Sequence, residues 1–332
     1  MKKLKSRQEL QELRRVYSSA LAAEQKKVLV CAGTGCISSG SLLIFDRLRA
    51  LIEEQGLRCE VELEKEPHDH SIGLKKSGCH GFCEMGPLVR IEPEGYLYTK
   101  VKLEDCEEIV SRTILKGELI ERLAYQKNGK IYPRQEEIPF YQKQTRLLLE
   151  HCGHINASSV REYLGIGGYT AFEKALFDLS PDEIIEEITA ANLRGRGGGG
   201  FPTGRKWAQV RRQNAPQKYI VCNGDEGDPG AFMDRSVMEG NPHSVLEGMM
   251  IAGLAVGSDE GYIYVRAEYP LAVNRLKTAI ARAEEIGLLG EHILGSDFNF
   301  RIHVAKGAGA FVCGEGSALT ASIEGNRGMP RV

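Results

Sequence analysis

Two pairs of thiols, in Cys31-Ala-Gly-Thr-Gly-Cys36 and Cys79-His-Gly-Phe-Cys83, stand in glycine-rich stretches of a 332-residue chain. Four converging thiolates can hold an iron–sulfur cluster, and glycine lets backbone N–H groups approach the sulfurs and offset their charge. The same two pairs also suit a zinc ion with four thiolate ligands. The spacing is not the plant-type ferredoxin run. Nine cysteines, an odd number behind a Lys-rich start with no adjacent signal-peptide core, argue against a disulfide framework. Cys106, on an apolar stripe with Leu103, Ile109 and Val110, and Cys59, in an expected strand, read as structural. His151-Cys152-Gly153-His154 lacks a second donor cluster and reads as a helix end with a glycine cap.

A second chemistry is written in three glycine clusters. Leu193 to Lys206 joins the Gly195, Gly197, Gly198, Gly199 and Gly200 backbone to Arg194, Arg196, Arg205 and Lys206, a combination suited to an anionic cofactor. It has neither the Walker ending nor the strand-then-glycine context of a Rossmann turn, and a flexible basic hinge is the plain alternative. Asn223-Gly-Asp-Glu-Gly-Asp-Pro-Gly230 follows an expected strand, where ligand-contacting residues of open α/β sheets gather. Its carboxylates Asp225, Glu226 and Asp228 would repel phosphate but accept hydrogen bonds from a sugar, a ring edge or a carboxamide; a solvated turn or a divalent-metal loop is the alternative. Gly307 to Ser317, containing Gly314 and Glu315, leads into a stretch that can be helical from Ala318 to Glu324, whose start could bind an anion.

The elements that must position these residues follow from periodicity. Leu10, Leu13, Val16, Tyr17 and Leu21 mark an amphipathic helix over Arg7 to Glu24. Lys27 to Cys31 and Arg58 to Leu63 read as strands around a helix at Ser41 to Glu54. Leu88 to Glu92 and Tyr96 to Lys100 read as strands joined by Pro93-Glu94-Gly95, with a helix at Glu104 to Leu115 behind them. One domain is therefore expected over 1–116, a connector over 117–164, and a larger domain over 165–332. There Ser180-Pro-Asp-Glu183 opens a helix with a capping box, ending near Asn192. Strands at Tyr219 to Cys222, Tyr262 to Arg266 and Asn299 to Ala305 alternate with helices at Ser244 to Val256 and Leu271 to Glu285, the pattern of an α/β domain with a mainly parallel sheet. Forty-three Lys and Arg against 45 Asp and Glu give a charge of -2, without the basic excess of a nucleic-acid binder. The longest apolar run, Met249 to Val256, is too short to span a membrane, and a cytoplasmic location is expected.

The cysteine pattern resembles the thioredoxin-like [2Fe-2S] ferredoxin domain of complex I and of NAD-linked hydrogenases, over roughly residues 7–116. RGRGGGGFPTGRKW, CNGDEGDPGAFMDR, GYIYVRAEYP and GAGAFVCGEGSAL, in that order, resemble the FMN- and NADH-binding subunit of complex I and its soluble relatives, over about residues 140–332. Their fusion is similar to the β subunits of NAD-linked, often electron-bifurcating, iron hydrogenases and related formate dehydrogenases. The resemblance implies a [2Fe-2S] cluster on Cys31, Cys36, Cys79 and Cys83. It implies flavin contacts from the Gly195 to Gly200 loop including Arg196, from Lys206, Asn223, Asp225, Glu226, Gly314 and Glu315, and packing of Phe201 against NADH. The implied activity is NADH-linked: hydride passes between NAD(H) and FMN, single electrons pass to iron–sulfur centres, and no side chain is needed as a nucleophile or obligatory acid. Implied partners are a hydrogenase, formate dehydrogenase or other iron–sulfur subunit and a small ferredoxin-like subunit; the rival is a noncatalytic assembly subunit with a degenerate flavin site. Gly199 stands where complex I members usually have Ala, Asp228 where they have Glu near the nicotinamide, Phe311 where Tyr is common and Gly316 where a second Glu follows. The family's later flavin-site segment and its [4Fe-4S] domain lie beyond Val332, so the larger domain is expected to be incomplete at its C-terminus.

Overall fold

The computed structural model describes residues 3–66, 68 and 70–331. It forms two compact units: a cysteine unit of Arg14–Ile166 with Ser236–Pro242, and a parallel-sheet unit of the residues up to Leu13, Gly167–Arg235 and the residues from His243 on. Helix α1 (Arg7–Ala23) leads into the first of these.

In the cysteine unit the chain runs β1 (Lys26–Cys31), α2 (Thr34–Ser38), α3 (Ser41–Glu54), β2 (Cys59–Glu60), β3 (Ile72–Ser77), β4 (Val89–Glu92) and β5 (Tyr96–Tyr98). The sheet order is β2-β3-β1-β4-β5. Strand β1 is central, with Val28 opposite Leu74 of parallel β3 and Ile91 of antiparallel β4. A parallel βαβ unit followed by an antiparallel hairpin is the thioredoxin-like arrangement expected. Helix α3 lays Ile44, Phe45, Leu48, Leu51 and Ile52 on Val28, Val30, Leu74 and Ile91, an apolar stripe at helical spacing against alternating strand positions.

Three expected elements differ, one being the glycine-capped helix end at His151-Cys152-Gly153-His154, which is a run of turns with no helix directly before it. The strand over Arg58 to Leu63 shortens to Cys59–Glu60, and the inner place beside β1 goes to Ile72–Ser77. Hydropathy hides that strand because it carries Lys75, whose side chain is wholly buried between Glu24 at 2.8 Å and Glu162 at 3.5 Å. The helix expected over Glu104 to Leu115 is a 3-10 turn (Leu103–Asp105), α4 (Cys106–Glu108) and a π-helical segment (Ile109–Ile114). Strands β6 (Tyr125–Lys127) and β7 (Lys130–Tyr132) form a hairpin over Asn128-Gly129, both at positive φ, as a primed two-residue turn requires. Helices α5 (Pro139–Gln142) and α6 (Val160–Gly165) complete the segment.

The parallel-sheet unit runs α7 (Thr170–Phe177), α8 (Pro181–Ala190), α9 (Thr203–Arg211), β8 (Tyr219–Gly224), α10 (Met233–Gly240), α11 (Pro242–Val256), β9 (Glu260–Arg266), α12 (Pro270–Glu285), β10 (Arg301–Gly307) and α13 (Gly316–Ile323); from Ser236 on, α10 packs within the cysteine unit. Its three strands are parallel in the order β8-β9-β10. The capping box at Ser180 and Glu183 opens α8 as the sequence indicates. Arg211 Nη1, at the end of α9, donates to the Ala255 carbonyl near the end of α11. The carboxyl ends of these two helices thus meet, and Lys218 Nζ, just before β8, donates to the carbonyls of Arg211 and Val256 there. Among the described residues no helix is long and apolar enough to cross a membrane.

Candidate functional site

The first site forms where β1 and β3 end. Strand β1 delivers Cys31, α2 carries Cys36, the loop after β3 carries Cys79, and a 3-10 turn over Cys83–Met85 begins with the fourth cysteine. The sulfurs form a string in which Cys31 neighbours Cys36 and Cys79, and Cys79 Sγ lies 3.8 Å from Cys83 Sγ. Protons shared along such a string separate the acidities of its members. The neighbouring Cys36 and Cys79 raise the Cys31 thiol, whereas Cys31 lowers Cys36 and, with Cys83, lowers Cys79.

Space around the sulfurs is reserved by glycine. A Cβ on Gly86 would stand 2.7 Å from Cys36 Sγ, and one on Gly33 would stand 2.8 Å from Cys79 Cβ. Gly81 N–H donates to Cys79 Sγ at 3.3 Å. Cys31 and Cys36 pack with Phe82, Leu88, Leu97, Ile138 and Tyr141, so water is excluded and N–H to sulfur bonds gain strength. His80, buried and lying in sequence between Cys79 and Cys83, spans Ser77 Oγ at 3.0 Å and Gln135 Oε1 at 3.2 Å. Burial takes its imidazole down to about 4, so it is neutral near pH 7. Cys59 and Cys106 lie outside this cluster, and burial raises both thiols to about 11. Among the described residues no three His, Cys, Asp or Glu side chains surround a single-ion position.

The second site follows the carboxyl ends of the parallel strands. The glycine loop is pinched at its base by Gly195 N–H to the Phe201 carbonyl and Thr203 N–H to the Leu193 carbonyl, each 2.9 Å. Above that base, Gly195 through Gly199 are exposed, and Gly198 and Gly200 hold positive φ values of 96° and 60°. Added Cβ atoms at Gly197 to Gly200 would meet nothing within 4 Å, so the loop presents bare backbone to its surroundings. Arg205 stacks its guanidinium 5.6 Å from the centre of the Phe201 ring. Arg196, Lys206 and Asp228 are exposed.

The other two clusters meet. Asn223 Nδ2 donates to the Gly314 carbonyl at 2.9 Å while its Oδ1 accepts the Asp225 N–H. Gly227 leaves room for Phe311, whose ring a Cβ there would approach to 2.8 Å. Asp225 is 9% exposed, and both its carboxylate oxygens are buried without a hydrogen-bond partner. Burial raises its carboxyl above the usual range, with Arg266 opposing. The Glu226 carboxylate accepts the N–H groups of Asp234 and Arg235 at the start of α10. Glu315 likewise accepts Ser317 and Ala318 N–H at the start of α13, and the Ser317 hydroxyl and these N–H groups lower its carboxyl.

Thus Asn223, Asp225, Glu226 and Gly314 share one region, Glu315 is turned to its own helix, and the glycine loop, Phe201, Lys206 and Asp228 stay open. Sequence reasoning passed over Arg266, which donates from Nη1 to the Glu226 carbonyl at 2.7 Å, and Tyr269, whose hydroxyl donates to the same carbonyl at 3.2 Å. Both lie in or beside GYIYVRAEYP, so the signal was present without a role. The orphaned Asp225 carboxylate fits a ligand that carries donors, and the open glycine backbone beside Arg196 and Lys206 in sequence fits an anionic group.

Residues 188–332 match the family described as the Nuo51 FMN-binding domain. The NADP-reducing hydrogenase subunit HndC of Solidesulfovibrio fructosivorans is 53% identical over 188 residues, 57% of this chain and 38% of that protein. An NADH-quinone oxidoreductase subunit of Aquifex aeolicus is 49% identical over 186 residues, 56% of this chain and 43% of that protein. This chain therefore spans about two fifths of the length of these relatives. The crystal structure of a thioredoxin-like [2Fe-2S] ferredoxin from Aquifex aeolicus is matched at 30% identity and a TM-score of 0.26, over 32% of this chain and 100% of that one.

Proposed function

We propose, on the premise that residues 188–332 belong to the Nuo51 FMN-binding domain family, that this chain is an NADH-linked flavin oxidoreductase module with a [2Fe-2S] cluster in its cysteine unit. The observation that carries the reading is Asp225: a buried carboxylate with two unpartnered oxygens, at the carboxyl end of a parallel strand, costs free energy unless a ligand supplies donors.

FMN, when bound, supplies hydride exchange with NAD(H) and single-electron exchange with iron–sulfur centres. The chain's own residues bind and orient. Asp225 accepts from polar donors, and Asn223 holds the Asp225 backbone against the Gly314 loop. Glu226 anchors the acidic loop through the start of α10, while Arg266 fixes its carbonyl. The Gly195 to Gly200 backbone, with Arg196 and Lys206, faces an anionic group, Phe201 offers a ring for packing against NADH, and the exposed Asp228 offers a polar contact to the cofactor. Glu315 shapes the third loop by capping α13. Cys31, Cys36, Cys79 and Cys83 hold the cluster. The assembly is a soluble, cytoplasmic, multisubunit one of the hydrogenase, formate dehydrogenase or complex I type, in which an iron–sulfur subunit exchanges electrons with this chain.

The test is the absorption spectrum of anaerobically purified protein, reconstituted with FMN, before and after NADH. Bound flavin that bleaches with NADH, beside charge-transfer bands of a two-iron cluster, is expected. A colourless zinc protein that neither binds FMN nor responds to NADH refutes the reading and favours the noncatalytic assembly role.

A further inference from the structure

Within the cysteine unit a row of aromatic rings runs from the cysteine loop to the surface. Phe82, between Cys79 and Cys83 in sequence, is buried and packs in one cluster with Cys31 and Cys36. Its ring stacks on that of Phe140 in α5, 4.9 Å between centres, and meets the Tyr125 ring edge-on at 5.3 Å. Tyr125 of β6 lies 6.0 Å from Tyr132 of β7, and Lys130 Nζ stands 5.0 Å from the centre of that ring. Phe140 is 43% exposed, a large apolar side chain open to solvent while its ring covers the loop. In the hairpin register Tyr125 faces Tyr132 and Lys127 faces Lys130, two positions along, so all four side chains share one face.

The unpaired charge here has one sign. Lys127 and Lys130 at the hairpin tip and Lys143 just after α5 are exposed, and among the described residues no carboxylate pairs with them. Only two acids occur in residues 125–143, and both are paired: Glu136 with Arg90 at 2.9 Å and Glu137 with Arg134 at 3.9 Å. A chain of net charge -2 therefore keeps a local basic surface around an exposed ring.

We propose that the face formed by the β6–β7 hairpin and Phe140 docks an acidic protein that carries single electrons, and that the cysteine site exchanges electrons with it there. The inference rests on the [2Fe-2S] reading of the cysteine quartet. Exposed lysines without partners steer a carrier of opposite charge and pair with its carboxylates at the rim, while the apolar ring supplies a centre that water leaves on contact. A second copy of this chain is the wrong occupant, because an isologous contact would set these lysines against one another. The transfer makes and breaks no bond: one electron leaves the reduced cluster, and the oxidised metal centre of the carrier takes it up.

Two one-electron proteins of opposite charge serve as probes of the whole iron-loaded protein: plastocyanin, which is acidic, and cytochrome c, which is basic. Lys127→Glu/Lys130→Glu is compared with Lys116→Glu/Lys277→Glu, an equal change of charge at exposed lysines outside this face. Binding is read by calorimetry at low salt, and single-turnover reoxidation of the reduced cluster by stopped flow, with iron content measured in parallel. The hairpin variant should keep its iron, bind plastocyanin about tenfold more weakly and lose about tenfold in its reoxidation rate with that probe. Cytochrome c should not be slowed, and the comparison variant should stay near the unaltered protein. Phe140→Ser should also weaken plastocyanin binding while leaving its salt dependence unchanged, since no charge is altered. The proposal is overturned if plastocyanin does not bind the unaltered protein, if the hairpin variant binds it normally, or if both charge variants lose affinity equally. Loss of iron from the hairpin variant overturns it as well, because it assigns the lysines to the fold. Absence of a two-iron EPR signal from the unaltered protein sinks the cluster reading instead, while the calorimetry still decides the docking face, so the two failures are distinguishable.

Discussion

Asp225→Asn should move stability and cofactor affinity in opposite directions. In the free protein the Asp225 carboxylate is buried with no donor on either oxygen, and burial raises its carboxyl above the usual range. A folded-state value above the unfolded one means that the folded protein binds the proton more tightly. Folding is then favoured at low pH, and that advantage is lost as pH rises from the unfolded carboxylate range through the raised folded value. Near neutrality the full cost of an ionised, unpartnered carboxylate is present. Asn removes the charge at nearly constant volume, so the cofactor-free protein should gain about 1 kcal/mol, or roughly 2–4 °C in the melting midpoint of a unit this size. The gain should vanish near about pH 3, where Asp225 is protonated in both states. FMN binding should lose the charged hydrogen bond, about 1.5–3 kcal/mol, which is roughly ten- to a hundredfold in affinity. Thermal melts without FMN at the two pH values, and FMN fluorescence titration at neutral pH, measure both quantities. Native FMN affinity, or a less stable cofactor-free variant at neutral pH, would refute the assignment of Asp225 to the flavin site.

Replacing Cys31, Cys36, Cys79 or Cys83 with Ser should abolish or strongly reduce cluster absorbance and the reduced-state EPR signal, whereas Cys59→Ser and Cys106→Ser should leave both; equal loss across all six would contradict the assignment. Gly86→Ala should lower the iron bound per chain without unfolding the protein, because the added methyl stands 2.7 Å from Cys36 Sγ, and iron analysis beside circular dichroism reads this directly. Lys75→Met leaves Glu24 and Glu162 buried without their cation. It should destabilise the cysteine unit by about 3–5 kcal/mol in urea unfolding at neutral pH and by less in acid, where burial has already raised the Glu162 carboxyl toward protonation.

Local chemistry made much of this protein legible from sequence. Cysteine spacing marked the four thiols, and short apolar runs bounded by turn residues marked β1, the β4–β5 hairpin and all three parallel strands within a residue or two. The capping box at Ser180 identified the start of α8 for the same reason: donor and acceptor are three residues apart. The ordered glycine clusters pointed to the loops at the carboxyl ends of the strands, where glycine and carboxylates have few structural reasons to gather.

Other features depended on partners far away in the chain. Strand β3 was invisible because its buried Lys75 is neutralised by Glu24 and Glu162, 51 and 87 positions away. Helices α9 and α10 carry charged residues on short spans, and their ends are fixed by Leu193 and Glu226, which precede them. The surroundings of two acidic residues were likewise undecided in sequence: Glu315 caps its own helix, while both carboxylate oxygens of Asp225 are buried without a partner. Glu239 meets Thr34 across 205 positions. Residue type and local spacing single out the side chains proposed to bind metal and cofactor. Which of them are buried, satisfied or left waiting emerged only when the chain was folded, because burial and hydrogen bonding depend on neighbours that no local pattern records.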